Sequence, residues 1–136
     1  MHINPIAVLV AVVAGMIVGA LWYGPLFGRP WRLAAGLPAD HKPRNPGLVY
    51  GGTLVATAVT VTILAGLGSI VATGLGLALL PAALLTAVAV WLGASFARQL
   101  INLLFEGSSP RLFAINTGHD LAVMAVAAVI IGLFGI

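Results

Sequence analysis

Charge is what this 136-residue chain has least of. Three acidic and six basic residues make up only 7% of it, where a water-soluble domain carries roughly 25%. So few polar groups cannot clothe a folded domain of this size in water. Cysteine is absent, which excludes a disulfide framework, a thiolate metal site and a catalytic thiol, and leaves the redox compartment undetermined. The three histidines, His2, His41 and His119, fall in separate regions with no His-x-x-x-His spacing, so no metal site is expected. No Gly-x-Ser-x-Gly elbow is present; Ser95, Ser108 and Ser109 read as a helix-face hydroxyl and two turn residues. Without a nucleophile–base pair or a metal constellation, neither an enzyme nor a cofactor is expected. A pI near 10.2 suggests nucleic acid, but six basic residues scattered over apolar segments make no stripe that tracks phosphates.

What the chain has is apolar length. It is 61% hydrophobic, with a mean hydropathy of +1.14. Four segments, about 5–23, 48–67, 79–105 and 112–134, each approach the ~20 residues that a helix needs to cross a ~30 Å hydrocarbon core. Lipid offers no hydrogen-bond partners, so helices are required even for the β-branched run Val59 to Ile63. No alternation suggests a barrel. The expected fold is an all-α membrane protein, one domain over 1–136, with four transmembrane helices in two antiparallel hairpins.

The connections differ in kind. Residues 24–47 hold Pro25, Pro30, Pro38, Pro43 and Pro46, a density that forbids a continuous helix, together with Arg29, Arg32, Lys42 and Arg44. Residues 66–76 read as a glycine-rich, uncharged connection, and 106–110 as a tight turn followed by Arg111. Pro81 suits the first turn of the third helix. Five of the six basic residues lie in the first and third connections, which predicts that these are cytoplasmic and that both termini lie on the other side. Trp22, Tyr23 and Trp31 cluster at the same end, as interface anchors do. The amino terminus lacks a basic n-region and an Ala-x-Ala site, so the first segment reads as retained and His2 as external. A weak echo links Leu26-Phe27-Gly28 with Leu104-Phe105-Glu106-Gly107; chance in a Leu- and Gly-rich chain accounts for it.

Polar groups within apolar segments carry the most information, because each is costly there. Arg98, Asn102 and Glu106 recur at i, i+4 and i+8, and Ser95 and Trp91 extend that face inward. Asn116, His119 and Asp120 recur at i, i+3 and i+4 on the fourth segment. Counted outward from Ser108–Ser109, Arg98 falls at the depth of His119–Asp120 and Asn102 at that of Asn116. An antiparallel hairpin then pairs Arg98 with Asp120, since a guanidinium fork suits a carboxylate. This cluster reads as a site for an ion or small polar solute, with His119 as the titrating group. It reads equally as a structural ion pair, or as an Arg98 that snorkels to the headgroups.

Tyr50, Thr53, Thr57 and Thr60 share a face of the second segment, with Thr62 opposite. They could line a hydrophilic path, although threonine in a membrane helix more commonly returns its hydroxyl to the carbonyl four residues back. Gly15 and Gly19 form a Gly-x-x-x-Gly pattern for close helix approach, within the subunit or between subunits. Four helices bury little interior, which points to a homo-oligomer.

The string Leu21-Trp22-Tyr23-Gly24-Pro25-Leu26-Phe27-Gly28 with Trp31, followed by Leu104-Phe105-Glu106-Gly107 and Leu112-Phe113-Ala114-Ile115-Asn116, resembles the small bacterial membrane proteins of the domain of unknown function 1761 family. The resemblance extends over nearly the whole chain and implies about four membrane helices in a bacterial plasma membrane, but it supplies no activity and no catalytic residue. Physically, Gly24-Pro25 ends the first helix, and the aromatic residues around it anchor an interface or form a loop that covers the mouth of the polar cluster. Two functional expectations follow. The chain carries or conducts a small polar solute or ion through Arg98, Asn102, Asn116, His119 and Asp120, or it is a membrane scaffold or accessory subunit whose polar cluster is structural.

Overall fold

The computed structural model describes residues 3–134, so the expectation for His2 lies outside the described residues. Among these the chain forms five helices and no strand: α1 Pro5–Leu26, a short α2 Gly28–Ala34, α3 Pro46–Leu75, α4 Leu79–Glu106 and α5 Pro110–Phe134. All but α2 are long and apolar enough to cross a membrane.

Three of the four long helices start with the same device, a capping side chain followed by proline at the first helical position. Asn4 Oδ1 accepts the amides of Ile6 at 3.0 Å and Ala7 at 3.3 Å. Asn45 Oδ1 accepts Leu48 N–H at 3.1 Å, and Ser109 Oγ accepts Leu112 N–H at 3.4 Å. The cap satisfies amides that have no partner in the helix, while proline loses none because its position needs no donor. Gly76 and Gly107, at φ 63° and 65°, end α3 and α4 in the left-handed conformation that glycine adopts at no steric cost.

Two sequence expectations are corrected. The stretch 66–76 is not a connection, because α3 continues through it to Leu75. Its glycines serve close approach, not a turn: a Cβ on Gly68 would stand 3.4 Å from the Ala83 backbone of α4. Within 24–47 the prolines prevent a long helix yet permit α2, where Pro30 sits in the first turn.

Two helices carry a wide turn. In α1 the Phe27 amide reaches back five residues to Trp22 O at 2.8 Å, because Pro25 has no amide to donate and Gly24 leaves the helical region at φ −106°, ψ −105°. In α4 the wide turn spans Trp91–Phe96 without proline, the one-turn π bulge that inserts an extra residue into an α-helix.

Helix α5 packs against α1 and α4, and α3 packs against the same two helices. The core is made of small and branched side chains, Ala11, Val12, Val61, Leu64, Ala83 and Ala128 among them, so the backbones lie close. Asn4 Nδ2 also donates to Phe134 O at 3.0 Å, which places the start of α1 beside the end of α5. The core occupies this half of the bundle. In the other half α3 is exposed throughout 47–56 and α4 exposes Arg98, Ile101, Asn102 and 104–106.

A matched pair of substitutions tests this packing. A Cβ on Gly132 would lie 2.5 Å from Leu80 Cα, whereas one on Gly74 meets nothing within 4 Å. Gly132→Ala is expected to destabilise the protein by about 1–3 kcal/mol, and Gly74→Ala to leave it unchanged or slightly more stable, measured by thermal unfolding in detergent.

Candidate functional site: a carboxylate at mid-span

Thr57 lies eleven residues in from Pro46, Ser95 eleven in from Glu106, and Asp120 ten in from Pro110. At ~1.5 Å per residue all three stand roughly 15 Å from one end of the bundle, about half of a hydrocarbon core. The helices therefore bring their polar residues to one level.

At that level Asp120 gathers its partners. Its Oδ2 accepts from Ser95 Oγ at 2.5 Å and from Gln99 Nε2 at 3.0 Å. Gln99 Nε2 also reaches Ser95 Oγ at 3.1 Å. Asp120 Oδ1 stands 3.1 Å from His119 Nδ1. With the carboxylate ionised, Nδ1 carries the proton and donates it to Oδ1, leaving Nε2 as the free nitrogen. Nε2 is directed at Gly19 of α1, where a Cβ would come within 3.3 Å of it.

The expected Arg98–Asp120 pair is not formed. Arg98 is exposed and, among the described residues, the ion pair at Asp120 is with His119. The wide turn at Trp91–Phe96 supplies the reason. One extra residue in that turn rotates the rest of α4 by about one position, so the face that straight counting gives to Arg98 is taken by Gln99. Asn102 follows Arg98 and is exposed as well. Ser95 and Trp91, which precede or lie within the turn, keep the facing expected of them.

The aromatic string closes over the site from α1. Tyr23 Oη donates to Asn116 Oδ1 at 2.7 Å, and its ring lies 4.8 Å from the His119 ring. Trp31 of α2 stacks on Tyr23 at 5.3 Å. Trp22 Nε1 donates to Ile115 O at 2.9 Å, and Trp91 Nε1 donates to Thr117 O at 2.8 Å. Two indoles from different helices thus grip the segment of α5 that carries Asn116, His119 and Asp120. Gly118 makes this fit possible, since a Cβ there would stand 3.0 Å from the Trp22 ring. The polar atoms of Trp22 and Tyr23 are turned onto α5, where each finds the partner that a buried indole or phenol requires.

Other sequence candidates separate by role. Thr53, Thr60 and Thr62 return their hydroxyls to Val49, Ala56 and Ala58 carbonyls at 2.6, 3.0 and 2.7 Å, which leaves no free donor along a path. Thr57 Oγ1 donates to Met16 Sδ at 3.8 Å, and Tyr50 is exposed. The Gly15–Gly19 pattern packs within the subunit: a Cβ on Gly15 would come within 3.2 Å of both Thr57 and Val123. Gln99 and Gly118 escaped sequence reasoning. Gln99 was legible as a polar side chain in an apolar segment; its facing was not, because no proline marks the wide turn before it. Among the described residues no three His, Asp or Glu side chains converge as a metal site would need.

Four apolar spans around a hydrogen-bonded mid-span carboxylate define a class, that of the multi-pass helical membrane protein. Within it the chain belongs to the family described as protein of unknown function (DUF1761), whose model matches residues 6–132. No curated protein and no solved structure matches it.

The altered facing of α4 has a thermodynamic signature. In double-mutant cycles, Ser95→Ala and Asp120→Asn are expected to couple by about 0.6 kcal/mol and up to ~1.7. Arg98→Gln and Asp120→Asn are expected to add. Coupling of Arg98 in place of Ser95 would restore the straight-helix register.

Proposed function

We propose that the protein passes a small cation, the proton included, across the bilayer, with Asp120 as its counter-charge at mid-span. The observation that carries this reading is the set of partners around the carboxylate. Ser95 and Gln99 are neutral donors, His119 is charged only when protonated, and Arg98 points elsewhere. The site is therefore negative, which favours a cation over the anion that an inward-facing arginine would hold. Its depth agrees with transporters, whose coupling ions bind near the midplane. The Asp120 side chain is 35% exposed and that of His119 21%, so neither is sealed into the core. His119 and Asp120 can each exchange a proton, and Tyr23 is the titratable group that faces them from α1.

Five of the six basic residues cluster at the end formed by 24–47 and Arg111, which supports a cytoplasmic placement of that end and external termini in a bacterial plasma membrane. In this frame the four spans form two antiparallel hairpins, and Trp31 on Tyr23 covers the cytoplasmic approach to His119.

A second reading rests on the same bonds. Ser95 and Gln99 tie α4 to α5 through Asp120, which is what a structural lock in a scaffold or accessory subunit would need. Flux into proteoliposomes separates the two. Transport predicts cation or proton uptake by the natural protein, falling to the level of empty liposomes in Asp120→Asn, a nearly isosteric change that keeps the fold. A lock predicts no uptake by the natural protein and a lower melting temperature for Asp120→Asn and Ser95→Ala alike.

A further inference from the structure

In the half of the bundle away from the termini, two helix faces lack a partner within the chain. The first is residues 47–56 of α3, all exposed, in which a Cβ on Gly51 or Gly52 meets nothing within 4 Å. The glycines that serve helix contacts in this chain, such as Gly15, Gly68 and Gly118, each have a neighbour inside that distance. The second is the outer face of the last three turns of α4, where Arg98, Asn102 and Glu106 are exposed at i, i+4 and i+8. An outward charge on a lipid-facing helix costs about 2.5–3.5 kcal/mol near mid-span by insertion scales, so that face calls for a polar cover.

The two faces match one another in depth and in chemistry. Tyr50 lies four residues in from Pro46 and Asn102 four in from Glu106; Thr53 lies seven in and Arg98 eight in. Just beyond the end of α3 stand Lys42 and Arg44, level with Glu106. Phenol meets amide, hydroxyl meets guanidinium, and cations meet the carboxylate.

The geometry points to a two-fold homodimer in which the first half of α3 of each copy packs on the last half of α4 of the other. Each copy supplies both faces, so the contact is isologous and closes at two. The chain does not cover these faces itself. Helix α3 is 30 residues long with no proline after its first position, about 45 Å against a ~30 Å hydrocarbon core. A helix of that length tilts, and its first turns stand away from α4 as long as its second half stays packed at Val61, Leu64 and Ala65. The inference does not depend on the cation reading, since a scaffold would present the same faces.

Cysteine cross-linking tests it on a chain that has no cysteine of its own. Differently tagged Tyr50→Cys and Asn102→Cys proteins, co-expressed and oxidised in the membrane, are expected to give a mixed species of twice the chain mass as the main product. Leu9→Cys, on an exposed face of α1, is expected to give none. Glu106→Arg should remove the mixed species, and Arg44→Glu in the Tyr50→Cys partner should restore it. No mixed species overturns the proposal, as does a dimer formed equally by Leu9→Cys. So does a Tyr50→Cys/Asn102→Cys double variant that closes within one chain, which would mean that α3 folds down onto its own α4.

Discussion

A carboxylate placed halfway across an apolar bundle must find its hydrogen bonds in the protein, because hydrocarbon offers none. Asp120 meets that requirement with a hydroxyl from Ser95, an amide from Gln99 and an imidazole from His119. The rest of the architecture follows from keeping those three in place. Ser95 lies within the wide turn of α4 and Gln99 just after it, so the turn sets which side chains face α5. Interhelical hydrogen bonds of this kind contribute about 0.6 kcal/mol each in a membrane, up to ~1.7. Their number at one level, and not the strength of any one, joins α4 to α5.

On the opposite side of α5 the same level is held by packing. Gly15 and Gly19 let α1 come close enough for Thr57, Val123 and the His119 ring to fit against it. Beyond them the second wide turn, forced by Gly24-Pro25, swings Trp22 and Tyr23 onto Ile115 and Asn116. Gly118 accommodates the indole. The aromatic string thus has a structural role that an interface belt alone does not explain: it fixes the orientation of the α5 segment that presents the ionisable pair.

Much of this was legible in the sequence, and the reasons for success and failure are physical. Span number follows from apolar length, and the limits of the spans from Asn-Pro, Ser-Pro and glycine punctuation. The membership of Ser95, Asn116, His119 and Asp120 in one level followed from counting outward from the turn at Ser108–Ser109. Glycine misled at 66–76, since the same residue that breaks a helix in water lets two helices touch in lipid; Gly68 against Ala83 is such a contact. Arg98 misled for a different reason. Straight α-helical counting puts it opposite Asp120, and a π bulge with no proline or charge to announce it moves the facing on by one residue. That single-residue change turns an expected ion pair into a carboxylate with neutral donors, and an outward Arg98 into part of an exposed face.

The most direct measurement is a solid-state NMR contact to the Asp120 carboxyl carbon in lipid bilayers, using selectively labelled protein. A dipolar contact to the Gln99 side-chain nitrogen, with none to the Arg98 guanidinium, is the expected result. Strong coupling to the Arg98 guanidinium without the Gln99 contact would mean that α4 runs straight through Trp91–Phe96, and would contradict the account of the site.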